Sequence, residues 1–128
     1  MARILLVGID PDLVDFTAPE VPPGMNADMI RRGIRAALDD FAVAGHDPHH
    51  LYIPLDPADQ QLLSGKLATE RFDCIVIGGG VRIPPSNLLL FEAVLNTIAR
   101  APSPPAIALV GHPGEATAAV ARVLNRGG

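Results

Sequence analysis

The chain of 128 residues predicts an α/β fold: a three-layer αβα sandwich around a four-stranded parallel sheet. Three observations carry this. Four short apolar runs, "RILLVGI", "HLYIPL", "DCIVIGG" and "AIALVG", are spread along the whole sequence. Each is followed by a polar turn and a stretch of helical spacing, the pattern of repeated βαβ units. A proline inside the second run, Pro54, removes a ladder donor and sends that strand to an edge. With right-handed crossovers the strand order is then 2-1-3-4.

The helices follow from caps and spacing. Asn26 is a good N-cap after "VPPG", and Met29, Ile30, Ile34, Ala37, Leu38 and Phe41 recur at three- and four-residue intervals until Gly45 ends the helix. The second helix, "PADQQLLSGKLATE", is weakened by Ser64 and Gly65. The third, "SNLLLFEAVLNTIARA", is capped by Ser86 or Asn87 and is apolar on nearly every side, and the fourth runs from Gly114 to Asn125. The order is that of a minimal flavodoxin-like or half-Rossmann sheet, one domain over 1–128. In such a sheet ligands bind outside the carboxyl ends of the strands, where the winding reverses. The loops after Ile9, Ile77 and Val110 are therefore the places for a site.

Composition limits the partners. A chain this long buries roughly 65% of its unfolded surface, enough for one core. The hydrophobic share is 48% and the mean hydropathy +0.29, yet no apolar run reaches the roughly 18 residues of a membrane span. The apolar excess belongs in a sheet or an interface. "MARILLVGID" lacks a basic region and a cleavage site and reads as a first strand, which makes a cytoplasmic protein the expectation. A net charge of -4 without a basic run argues against nucleic acid, and the single Cys74 excludes an internal disulfide.

"VIGGGVRIPPSN" opens like a dinucleotide-binding loop. Gly78 and Gly80 take the first two glycine places, but Ile83 stands in the third, prolines delay the helix, and no acid follows near residue 100. No organic cofactor is expected. The glycines serve either as a tight exit from a central strand or as an anion site. In the second reading the amides of Gly78, Gly79, Gly80 and Val81, with the guanidinium of Arg82, hold a carboxylate or phosphate.

The loop after the first strand, "DPDLVDFTAPEVPPGMN", holds Asp10, Asp12, Asp15 and Glu20 and is longer than most connections. Its start resembles the first motif of haloacid-dehalogenase-type phosphatases, but the later Ser/Thr, Lys and acidic pair of that superfamily have no counterpart at the other strand ends. Asp10 and Asp12 form a candidate pair for Mg²⁺ or for acid–base work, with Asp10 projecting into the crevice and Asp12 bracing the loop. Asp-Pro-Asp is also a good turn former. His112, in "VGHPGE" after the fourth strand, is either a third acid–base residue or a solvent-facing loop histidine. His46, His49 and His50 lie at the opposite strand ends, and their spacing matches no closed zinc site. Cys74 reads as a small buried strand residue, and no metal site is assigned.

The segments "VGIDPDLVDF", "PPGMNAD" and "DCIVIGGGVRIPPSNLLLFEAVLN" together resemble a group of small bacterial Rossmann-like, flavodoxin-like proteins without an assigned activity. The resemblance implies that the two loops and the third helix form one unit. The leading expectation is an enzyme of lyase, isomerase or hydrolase type acting on a small anionic metabolite. Asp10, Asp12 and His112 are the acid–base candidates; Gly78, Gly79, Gly80, Val81, Arg82, Asn26 and Asn87 are the binding candidates. A ligand-binding or sensory module using the same crevice, and a structural partner subunit, are the alternatives. The apolar third helix further predicts a homodimer through residues 86–101.

Overall fold

Four strands, β1 (Arg3–Ile9), β2 (Asp47–Ile53), β3 (Cys74–Ile77) and β4 (Ala106–Leu109), pair in parallel in the order β2-β1-β3-β4, as expected. This is a computed structural model, and it describes residues 1–19 and 21–125. Glu20, one acid of the long loop, lies outside the described residues.

Strand alternation sorts the core into two halves. Leu5, Val7, Ile9, Ile75 and Ile77 face one side, where α2 (Gln61–Thr69) and α4 (Leu88–Ala99) cover them with Leu63, Leu67, Leu90, Val94 and Ile98. Ile4, Leu6, Cys74, Val76 and Ala108 face the other side, under Ala37 and Phe41 of α1 (Ala27–Val43) and Ala116, Ala119 and Val120 of α5 (Ala116–Asn125). Each large aliphatic side chain fully withdrawn from water contributes roughly 1.5–3 kcal/mol. The result is the three-layer sandwich.

Local chemistry places the ends. Asn26 caps α1, its Oδ1 accepting the Met29 amide at 2.9 Å, and Gly45 ends the segment at φ +88, a conformation that costs other residues a steric penalty. The strand β2 lies at the edge, but Pro54 follows its last paired residue. The proline in the ladder is Pro48, opposite Ile4. The helix α2 runs unbroken through Ser64 and Gly65 because Leu63 and Leu67, one turn apart, are both buried. The last helix starts two residues later than expected, since Pro113–Glu115 form a separate 3₁₀ turn.

The third long helix is apolar on most sides, as its spacing predicts. Its apolar excess goes into the core: Leu90, Val94 and Ile98 are fully buried, while Phe91 and Leu95 pack against them. Among its large apolar residues only Leu88 and Leu89, in the first turn, are exposed. No helix among the described residues is long and apolar enough to cross a membrane.

Candidate anion site at the carboxyl edge of the sheet

The glycine segment leaves β3 as a single helical turn, α3 (Gly79–Arg82), with no delay before it. Gly78 extends the sheet by one bond, its amide donating to the Val7 carbonyl at 2.8 Å, and it caps the turn. Gly79 and Gly80 follow as the turn's first two donors, which have no carbonyl one turn back within the helix. Val81 does not share this freedom. Its amide donates to the Gly78 carbonyl at 3.1 Å and its side chain is fully buried in the core, which corrects its place among the binding candidates.

Arg82 reaches across to β4, where its Nη2 donates to the Val110 carbonyl at 3.3 Å. Its Nε is buried and has no hydrogen-bond partner. A buried donor without an acceptor is costly, and here it belongs to a cation. Asn87 stands at the N-cap of α4, as expected, but makes no side-chain cap bond there: its Nδ2 donates to the Gly80 carbonyl at 2.8 Å and braces the glycine turn. Asn26, occupied as a helix cap, is likewise a structural residue.

The acidic loop is organised by a residue that sequence reading missed. Arg31 of α1 pairs with Asp12 at 2.5 Å, stands 3.6 Å from Asp28 and 3.9 Å from Asp10. The bond from Asp12 raises the guanidinium pKa. Asp10 caps the turn Pro11–Leu13, its Oδ1 accepting the Asp12 amide at 2.9 Å. The expected roles are therefore reversed: Asp10 braces the loop, and Asp12 projects outward onto Arg31. Among the described residues the cation that stands against this pair is Arg31. Tyr52, opposite Gly8 on β2, stands in the same field, its phenol pKa raised first by burial and then by Asp10.

His112 caps the 3₁₀ turn after β4, with Nδ1 accepting the Gly114 amide at 3.1 Å. With Nδ1 engaged as an acceptor, Nε2 is the ring nitrogen left to donate. The carboxylate of Glu115 closes the box by accepting the amides of Gly111 at 2.7 Å and His112 at 3.1 Å, and these bonds lower its pKa. The spacing of "HPGE" is a capping-box signal with histidine in the cap position. Pro113 packs on α1, where a Cβ on Gly33 would meet its Cγ at 3.2 Å. Asp10, Asp12 and His112 share the carboxyl edge, but among the described residues no hydrogen bond or ion pair joins either aspartate to the histidine.

The other histidines diverge. His46 accepts the Ala2 amide, His49 joins Asp47 and Arg3 at one face of β2, and His50 packs on Tyr52 at the other. Among the described residues no three His, Cys, Asp or Glu side chains are grouped to hold a metal. Cys74 is buried, which pushes its thiol up to about 11. An open groove of about 340 Å³ lies between α2 and α4, lined by Gln60, Ser64, Thr97 and Arg100, away from the glycine turn.

A solved structure shares this architecture. It is described as the solution structure of a phosphate-loop protein, and it matches over 97% of this chain and 90% of its own, with a TM-score of 0.51 and 18% sequence identity. At that identity the likeness shows the fold: an α/β parallel sheet with helices. No family model matches the chain, and no curated protein does. The likeness to Rossmann-like proteins accordingly stands at the level of the fold.

Proposed function

We propose that the protein binds a small anion of the phosphate class at the carboxyl edge of β3 and β4, between the amides of Gly79 and Gly80 and the guanidinium of Arg82. The observation that carries this reading is Arg82: a cation whose Nε is buried without an acceptor, the last residue of a helical turn whose first donors have no carbonyl one turn back to bond. Oriented amides and a guanidinium together form charge-assisted bonds to phosphate oxygens. The phosphate-loop description of the structural neighbour supports the same chemistry. Gly80 suits close approach, because nothing lies within 4 Å of where its Cβ would be.

Binding comes before turnover in this reading. Asp10 is engaged as a cap and Asp12 by Arg31, so lyase, isomerase or hydrolase chemistry would have to run through the Nε2 of His112 and the exposed edge of Asp12. An amide-resolved NMR titration with inorganic phosphate tests the binding. The expected result is saturable shifts centred on Gly79, Gly80 and the Arg82 side chain. Shifts confined to other loops, or none at millimolar phosphate, would overturn it.

A further inference from the structure

At the amino edge of the sheet, the end opposite the anion site, the guanidinium of Arg3 ties β1 to β2 and to the end of α2. Its Nε donates to Asp47 Oδ2 at 3.3 Å, its Nη1 to the Arg71 carbonyl at 2.9 Å and its Nη2 to Glu70 Oε1 at 3.0 Å. The Phe72 ring lies 4.9 Å from the cation, and Lys66 holds the other oxygen of Glu70 at 2.6 Å. Into this cluster His49 brings one atom. Its Nε2 stands 3.3 Å from Arg3 Nη2 and 3.1 Å from Asp47 Oδ2, while its ring meets Phe72 edge-on at 5.3 Å.

These two contacts ask opposite things of one nitrogen. A guanidinium only donates and an ionised carboxylate only accepts, so Nε2 must be bare to meet Arg3 and must carry a proton to meet Asp47. We propose that His49 is a proton-operated latch on the edge strand β2. Neutral, with its proton on Nδ1, the imidazole accepts from Arg3 and fastens β2 to β1. Protonated, it donates from Nε2 to Asp47, two residues back on the same strand face, and is repelled by Arg3. The guanidinium keeps Glu70 and the Arg71 carbonyl, so a bond across two strands is exchanged for one within β2.

The surrounding charges leave this choice to the proton. Arg3 and Lys66 balance Asp47 and Glu70 around the neutral ring, and Arg71 and Asp73, in the segment after α2, add one charge of each sign. His46, just before β2, accepts the Ala2 amide through Nδ1 at 3.2 Å. Histidine is the side chain that ordinarily changes charge between about pH 5 and 8. The strand it fastens is the one where a latch has most effect, because in the sheet β2 pairs with β1 alone.

Nitrogen NMR of the side chains, on the full chain from about pH 5 to 8, reads both ring nitrogens of His49 and the Nε–H of Arg3. Above the midpoint His49 should carry its proton on Nδ1; below it both nitrogens should be protonated, and the Arg3 signal should move with the same midpoint. Hydrogen exchange reads the consequence. Protection of the β2 amides relative to β3 should fall by about two- to tenfold below the midpoint, the worth of one side-chain hydrogen bond. His49→Gln, which can accept from Arg3 but takes up no proton, should abolish that fall, and Asp47→Asn should lower the His49 midpoint by about 1 pH unit. Thermal melts check that both variants fold, and the parent alone can overturn the proposal. A neutral ring protonated on Nε2, an Arg3 signal indifferent to the titration, no titration in this range or unchanged β2 protection each does so. So does a fall in protection that survives His49→Gln, or an unchanged midpoint in Asp47→Asn. None of these outcomes bears on phosphate binding at Arg82.

Discussion

Gly79 and Gly111 meet backbone to backbone: a Cβ on Gly79 would stand 2.7 Å from the Gly111 carbonyl oxygen. This contact locks the glycine turn after β3 to the loop after β4, and it sets the distance that Arg82 spans to Val110. A side chain at position 79 forces two main-chain segments apart. Gly79→Ala should therefore destabilise the fold by about 1–3 kcal/mol, the usual cost of overpacking. Gly80→Ala meets nothing within 4 Å and the residue does not have positive φ, so helix propensity should leave that variant neutral or up to about 1 kcal/mol more stable. Denaturant unfolding of the two variants checks the contrast.

The two leading aspartates should separate by stability. Asp10→Ala removes the side-chain acceptor of the Asp12 amide and should cost about 0.5–2 kcal/mol, as other lost caps do. Asp12→Asn breaks an ion pair on an exposed side chain and should leave melting almost unchanged. Thermal melts of both proteins give the answer, and the opposite ranking would show that Arg31, not the cap, organises the loop.

Glu115 sets a pH dependence with a definite sign. Its folded pKa lies below the usual 4.5 because the Gly111 and His112 amides stabilise the carboxylate. A depressed carboxylate contributes stability that is fully present above the unfolded pKa and is lost as pH falls through the folded value. Melting temperature should therefore drop as pH goes below 4.5, and Glu115→Gln should make that acid limb shallower. Asp47, lowered first by His49, and Glu70, lowered first by Lys66, act in the same direction at the opposite edge, so some slope remains in the variant.

Much of the fold was legible because it depends on short-range signals. Apolar runs separated by helical spacing define β1 to β4, and Asn26 and Gly45 mark the limits of the α1 segment by backbone chemistry that any neighbour would leave intact. Pro54 pointed to the correct edge, although Pro48 is the proline in the ladder. The candidate site was legible only in outline. Arg31 acquires its role from carboxylates up to 21 residues away in sequence, counting from Asp10, across a loop whose path no local pattern gives. Asn87 sits where a cap is expected, yet it is drawn to a carbonyl seven residues back. The apolar helix α4 shows the same limit: spacing marks it as apolar on most sides, but only the tertiary fold decides that Leu90, Val94 and Ile98 are covered and Leu88 is not.

The core of α4 predicts its own contrast. Val94→Ala and Leu90→Ala each leave a cavity in a fully buried site. Leu90→Ala should cost about 2–5 kcal/mol and Val94→Ala somewhat less. Leu89→Ala, on the exposed first turn, should stay within about 0.5 kcal/mol of the parent. Equilibrium unfolding in urea distinguishes the three.

The central claim is that Arg82 anchors a phosphate-class anion, and the most direct measurement is phosphate affinity in the parent, Arg82→Lys and Arg82→Ala, read by calorimetry on proteins whose melts show them folded. Loss of a charge-assisted bond predicts weakening by about 1.5–3 kcal/mol in Arg82→Ala, with Arg82→Lys in between because the charge survives but the planar fork does not. Equal phosphate affinity in all three proteins would contradict the account.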